Sequence, residues 1–243
     1  RLEAAVADIN ENHNDAALCV FTGDLTDNGA PGAFAALGEV LANLSVPHRL
    51  LLGNHDHREN FLSVFPETAC GPSGFVQERV TLAGKELLLL DTHEPGQAVG
   101  TYCPERCAWL RQTLAACGQA PVYIFMHHPP FNVGLHAMDR IKLADDAAFA
   151  EVVAEADNIR HIFFGHLHRP VSGSWRGIPF SGVRSTVHQV KLDLREGDKV
   201  RYSEAGPQYA VILLDDAQTT VHLHDYLTES LQATDLERYP SLG

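Results

Sequence analysis

A chain of 243 residues with 45% hydrophobic side chains carries enough apolar material for a substantial core, in one large domain or two small ones, which excludes a disordered chain. Thirty-one Asp and Glu against 18 Lys and Arg give a formal charge of −13, so a polyanion meets no general basic surface and a nucleic acid polymer is excluded as a partner. An anionic substrate must then be held locally, for instance by metal ions.

In chain order, residues 1–12 place Leu2, Val6 and Ile9 on one helical face. "LCVFTGD" (18–24) reads as a short strand, and "PGAFAALGEVLANL" (31–44) as a helix with Pro31 at its start and Leu37, Val40, Leu41 and Leu44 inward. With the strand "HRLLLGNHD" (48–56) they form a βαβ unit. "FVQERVTL" (75–82) and "KELLLLDTH" (85–93) predict a hairpin around Ala83 and Gly84. A helix opened by Pro104 spans 104–116, a strand 121–130, a helix 144–156, and "HIFFGHLH" (161–168) is a further strand. Beyond Pro170 come "GIPFSG", "STVHQVKLDL", "QYAVILLDD" and "TTVHLHDYL", strand candidates with no clear helix, so the last third is mostly antiparallel. The pattern predicts one α/β domain around two sheets. No apolar run approaches the ~20 residues that span a bilayer. The five cysteines form no C-x-x-C pair and, with no targeting segment in view, read as reduced thiols of a cytoplasmic protein. A homo-oligomer is allowed, since the sequence is silent on oligomeric state.

Four apolar runs, "LCVF", "RLLL", "VYIF" and "HIFF", are each followed closely by metal-binding side chains: Asp24, Asn54 with His55, His127 with His128, and His166 with His168. In an α/β sheet the C-terminal strand ends converge on one crevice, so these residues can meet there. Carboxylate, amide oxygen and imidazole suit Mn, Fe or Zn, and one Asp can bridge two ions. Gly23, Gly53 and Gly165 would let the backbone turn tightly before each ligand.

The segments "GDLTDNG" (23–29), "GNHD" (53–56), "MHHPP" (126–130) and "GHLH" (165–168), in that order, resemble the calcineurin-like metallophosphoesterases. "AMD" (137–139) and "STVHQV" (185–190) are most similar to the bacterial branch of cyclic-nucleotide and glycerophosphodiester phosphodiesterases. The resemblance implies a four-layer αββα sandwich, two mixed sheets flanked by helices, with two divalent or trivalent metal ions at the strand ends. Carried over by motif, Asp24 bridges both ions, Asn54, His127 and His166 hold one, and His168 holds the other. His55 stands beside the phosphate as proton donor or charge stabiliser. Two ions ~3.5–4 Å apart polarise phosphoryl oxygens and generate hydroxide near neutral pH for in-line attack. The implied activity is hydrolysis of small phosphodiesters. The rivals are a phosphomonoesterase on the same centre and a scaffold that has lost a metal site. His188 is expected in the substrate pocket wall, and Arg58 and Arg169 are candidates to contact phosphate.

The family's first motif, Asp-x-His after the opening strand, has no counterpart before Asp24. The expectation is that residues 1–243 form a single metallophosphoesterase domain lacking the first strand and that motif, the alternative being a degenerate copy. One Asp-x-His does occur, at Asp91 and His93, where the bland explanation is a strand end with a surface histidine. Asp27 and Asp56 are either acceptors that fix a ligand or Asx-turn residues. His128 is expected to orient its loop, and His222 and His224 to alternate toward water on a strand.

Overall fold

The structure is a computed structural model and describes residues 1–71 and 73–227. The expected single domain over 1–243 therefore ends partly outside the described residues. The helices are α1 (Leu2–Asn12), α2 (Pro31–Leu41), α3 (Arg58–Val64), α4 (Pro104–Cys117), α5 (His136–Asp139) and α6 (Asp146–Ala154). The strands are β1 (Cys19–Phe21), β2 (His48–Leu50), β3 (Glu78–Leu82), β4 (Lys85–Leu89), β5 (Val122–Met126), β6 (Ile159–Phe164), β7 (Val171–Trp175), β8 (Ile178–Gly182), β9 (Gln189–Val190), β10 (Tyr202–Ser203), β11 (Tyr209–Leu214) and β12 (Thr219–His224).

A six-stranded mixed sheet in the order β3-β4-β5-β6-β8-β7 is the backbone of the fold, with β4, β5, β6 and β8 parallel to one another and β3 and β7 antiparallel at the edges. Its central strands are apolar on both faces, as a parallel sheet covered on both sides requires. Alternation along them sorts the side chains. Leu88, Leu90, Ile124, Met126, Ile162 and Phe164 join α4 and α6 in one core. Leu87, Leu89, Tyr123, Phe125 and Phe163 face the other way, against Val20, Leu51, Ile212, Leu214 and Val221. The second strand layer is sorted in the same manner, since Phe21, Leu50 and Leu52 point outward to Phe34, Leu37, Leu41 and Phe61 of α2 and α3. The order is thus helices, sheet, strands, helices, the expected four layers.

The second strand layer consists of two separate ladders, parallel β1-β2 and antiparallel β11-β12, where one continuous sheet is expected. Among the described residues β1 has no ladder partner on its other edge. The β3-β4 hairpin turns through Ala83 and Gly84 at φ 48° and 76°, the two left-handed residues of a type I′ turn. Helices α3 and α5 and strand β7 are absent from the sequence expectation, and "STVHQVKLDL" supplies only the two residues of β9. His222 is exposed as expected, but His224 is half-buried, 3.1 Å from Asp8 Oδ2 on α1, while Leu223 is exposed instead.

Phe34 is fully buried and meets Phe61 edge-on at 5.5 Å. Phe34→Ala is expected to destabilise the fold by about 3–5 kcal/mol. A lowered denaturant midpoint with unchanged slope checks this, and a loss below about 1 kcal/mol would show that α2 is not packed as described.

Candidate metal centre

The turn after β1 and the turn after β2 meet the ends of β5 and β6 at one edge of the sandwich, and four donor atoms converge there. His127 Nε2 lies 3.3 Å from Asp24 Oδ2 and 3.2 Å from Asn54 Oδ1. His166 Nδ1 lies 3.0 Å from the same Asn54 Oδ1. These spacings fit a shared ion: donors about 2.1 Å from one cation, at right angles, stand about 3.0 Å apart. The tautomer fits as well. His127 Nδ1 donates to the Thr22 carbonyl at 2.7 Å, so in the neutral ring Nε2 is a lone pair facing two oxygens. A cation, proton or metal, is what relieves that convergence.

The backbone is arranged for this approach. Gly23 has φ +94°, and a side chain on Gly53 would lie 2.2 Å from Asp24 Oδ1. Asp24, His166 and His168 themselves take left-handed conformations, φ 51°, 64° and 46°, which non-glycine residues rarely hold. Asp56 clamps the two loops together: it accepts from Leu25 N, Thr26 N and Gly53 N at 3.1, 3.0 and 2.9 Å, and from Thr26 Oγ1 at 3.1 Å. Of the two readings of Asp56, the structure favours the acceptor that fixes a ligand loop. Asp27, by contrast, has a fully exposed carboxylate and contributes its carbonyl, to which His55 Nδ1 donates at 3.0 Å. His55 N–H donates to Asp24 Oδ1 at 3.0 Å, and the His55 side chain is half exposed.

The electrostatics follow from burial. Burial alone would raise the Asp24 pKa, but His127, with hydrogen bonding from the His55 backbone, holds the carboxyl well below the usual range. Burial would lower the His127 pKa, and the Asp24 charge outweighs it, so the net shift is upward. His166 is pushed down to about 3, by burial and then by His127, and His168 to about 4, by burial and then by His188. Both rings are therefore neutral near neutral pH. His168 Nδ1 donates to the His188 carbonyl at 3.0 Å, leaving Nε2 as its lone-pair nitrogen. His188 is brought beside the site, its ring 4.5 Å from that of His168.

Nitrogen atoms of His127, His128 and His166 lie within 4.8 Å of one another. His128 is fully buried and shares a 2.8 Å hydrogen bond with Thr92 Oγ1 through Nδ1. Burial, reinforced by His127 and His166, keeps its pKa far below the ordinary value.

A sequence model of calcineurin-like phosphoesterases matches residues 1–170. The chain belongs to the calcineurin-like phosphoesterase family. It is 41% identical over 230 residues to a probable cyclic nucleotide phosphodiesterase of Rhodopseudomonas palustris, covering 91% of this chain and 82% of the relative. Over 190 residues it is 30% identical to a probable glycerophosphodiester phosphodiesterase of Arcobacter nitrofigilis, covering 76% of this chain and 68% of that one. Among solved structures, a dimetal phosphatase from Danio rerio is similar in fold, with TM-score 0.62 and 18% identity over 75% of this chain and 76% of its own. A purple acid phosphatase from yellow lupin seeds gives TM-score 0.65 at 9% identity, over 95% of this chain and 48% of its own. Calcineurin-like phosphoesterases use a binuclear metal centre, and this chain presents a His-rich site of that chemistry.

Two expectations for residues near the centre need correction. Arg58 is not placed as a free phosphate contact: its guanidinium grips buried Asp91 in a bidentate pair at 2.8 and 3.0 Å and donates to the His93 carbonyl at 2.9 Å. The pair also accounts for Asp91, which is fully buried and accepts from Val76 N as well. His93 is no surface residue. It is 1% exposed and braces the ligand loop from behind, donating from Nδ1 to the Gly53 carbonyl at 2.9 Å. Sequence reasoning missed this bracing, although the Asp-x-His spacing had marked both residues. Arg169 Nη1 reaches toward the Val190 carbonyl, at 3.5 Å.

Arg58→Ala is expected to cost about 3–5 kcal/mol of stability by leaving the Asp91 charge buried without its cation. A raised KM with unchanged melting would instead return Arg58 to the substrate. Because a raised His127 pKa means a proton sits where a metal would bind, metal affinity is expected to rise as pH climbs through that pKa and then level off. His166 and His168, already neutral, add nothing to this slope above pH 5. Metal titrations from pH 5.5 to 8.5 check it; a flat profile would remove His127 from the site.

Proposed function

We propose that this protein is a metal-dependent phosphodiesterase acting on small diesters, 3′,5′-cyclic nucleotides or glycerophosphodiesters. The observation that carries the proposal is the convergence of Asp24 Oδ2, Asn54 Oδ1, His127 Nε2 and His166 Nδ1 within 3.0–3.3 Å contacts. Asp24, Asn54, His127 and His166 would hold one ion, and His168 would contribute to the other. Oxygen and imidazole donors suit Mn, Fe or Zn. Such ions, when bound, polarise phosphoryl oxygens and lower the pKa of water. The names of the relatives from Rhodopseudomonas palustris and Arcobacter nitrofigilis support the two diester classes.

The chain's own residues then do three things. Asp24, with its pKa held low, keeps a negative charge at the centre at any physiological pH. Thr22 and His188 carbonyls fix the ring orientation of His127 and His168. His55, with Nδ1 donating to the Asp27 carbonyl, is held at the rim, where its doubly protonated ring would hand the Nε2 proton to the departing alkoxide and revert to the neutral form. Among the described residues no helix is long and apolar enough to cross a membrane. A cytoplasmic setting belongs to the proposal, supported by five cysteines that are all free thiols.

With Mn added, bis(p-nitrophenyl) phosphate is expected to turn over faster than p-nitrophenyl phosphate. His55→Ala should lower kcat on the diester by about 10²–10⁴ with metal content unchanged. Much faster cleavage of the monoester would overturn the diesterase assignment, and loss of bound metal in the variant would move His55 from proton donor to ligand.

A further inference from the structure

We infer that Tyr202 is a specificity-determining residue, its exposed ring, braced edge-on by that of His188, offering a stacking platform beside the metal centre for the aromatic base of a cyclic nucleotide. The inference rests on the phosphodiesterase assignment and selects between its two substrate classes.

The platform is built by the excursion between β8 and β11. Antiparallel pairing of β9 with β10 sets Tyr202 opposite Val190 and Ser203 opposite Gln189. That ladder is fastened to a ligand segment at two points, Val190 N donating to the His168 carbonyl at 3.1 Å and His168 Nδ1 to the His188 carbonyl at 3.0 Å. Three rings follow in series. His168 and His188 stand 4.5 Å apart at 50°, and His188 meets Tyr202 edge-on at 5.0 Å and 83°. The segment is held in shape by Gln189, 1% exposed, whose amide closes on Ser185 N and O at 3.0 and 2.7 Å. On this firm base Tyr202 is 64% exposed, as is Val187, one residue before His188.

An aromatic ring left so open, two ring-to-ring steps from a metal-ligand histidine, suits a substrate whose phosphate sits at the centre and whose flat, neutral base extends outward across the ribose. Every nucleobase has a π face for such a ring, and a preorganised ring loses little freedom on binding. Glycerol, ethanolamine and choline have no such face.

The test compares wild type with Tyr202→Ala, Tyr202→Leu and Tyr202→Phe in the full chain with Mn. The expected result is a fall of about tenfold in the ratio of kcat/KM for adenosine 3′,5′-cyclic phosphate over that for glycerophosphoethanolamine in Y202A and Y202L, carried by KM, with the ratio kept in Y202F. Saturation-transfer NMR with adenosine, which has no phosphate to bind metal, is a second readout: base protons receive saturation from wild type and Y202F and not from Y202A. An unchanged ratio, or adenosine signals that are the same for wild type and Y202A, overturns the platform. Wild type that hydrolyses neither diester overturns the activity instead, and the adenosine measurement still judges the platform. Thermal melts show that the variants are folded.

Discussion

The Asp24 carboxylate is set against bare backbone, and the rest of the centre depends on that contact. A methyl group at Gly53 would overlap Asp24 Oδ1 and the Asp24 amide together. The loops after β1 and β2 can therefore interpenetrate only with glycine at that point, and Asp56 then locks them by accepting from both. Asn54 and His55 ride on the locked loop, so one steric allowance places an amide oxygen and an imidazole beside the carboxylate. His93 presses on the same loop from the sheet side, through the Gly53 carbonyl.

Burying several imidazoles around one carboxylate would be costly if every ring became a cation, since one carboxylate can balance only one of them. The structure manages this with carbonyls and with separation of charge. Thr22, Gly53 and His188 carbonyls each take an Nδ1 proton, which fixes where the lone pairs of His127, His93 and His168 lie. Of two further buried acids nearby, Asp56 is taken up by backbone N–H groups of both loops, and Asp91 is neutralised by Arg58 and so does not compete with Asp24 for cations. Backbone strain collects in the same place, at Asp24, His166 and His168, as expected where surrounding packing over-determines a site.

The parts of this architecture legible in the sequence are those written locally. Buried strands appear as apolar runs, and a polar residue directly after each run marks the crevice, so Asp24, Asn54, His127 and His166 could be picked out one run at a time. Two strand-like runs about Ala83 and Gly84 in "ERVTLAGKELLL" likewise announce a hairpin, since two left-handed residues there suffice to turn it. Arg58 was misjudged because its neighbour in sequence is a ligand loop, whereas its partner, Asp91, lies 33 residues away and fully buried. The roles of Asp56 and His93 depend in the same way on tertiary partners. β7, "VSGSW", has too few β-branched residues to read as a strand and is one only because β8 pairs with it. His161 shows the opposite case: a histidine with no motif sits flat on Phe163 at 4.2 Å and bonds Ser181, a packed core residue with its pKa driven to about 4 by burial.

Two hydrogen bonds tie His168 to the segment of residues 188–190, one from its ring and one to its carbonyl. A shift of that segment must therefore drag the imidazole with it, and the reverse holds equally. With His168 assigned to a cation as proposed, thermodynamic reciprocity requires that an occupant that steadies this segment would strengthen cation affinity by the same factor that the cation would strengthen the hold on the occupant. The excursion after β8 would thus join two affinities into one coupled equilibrium.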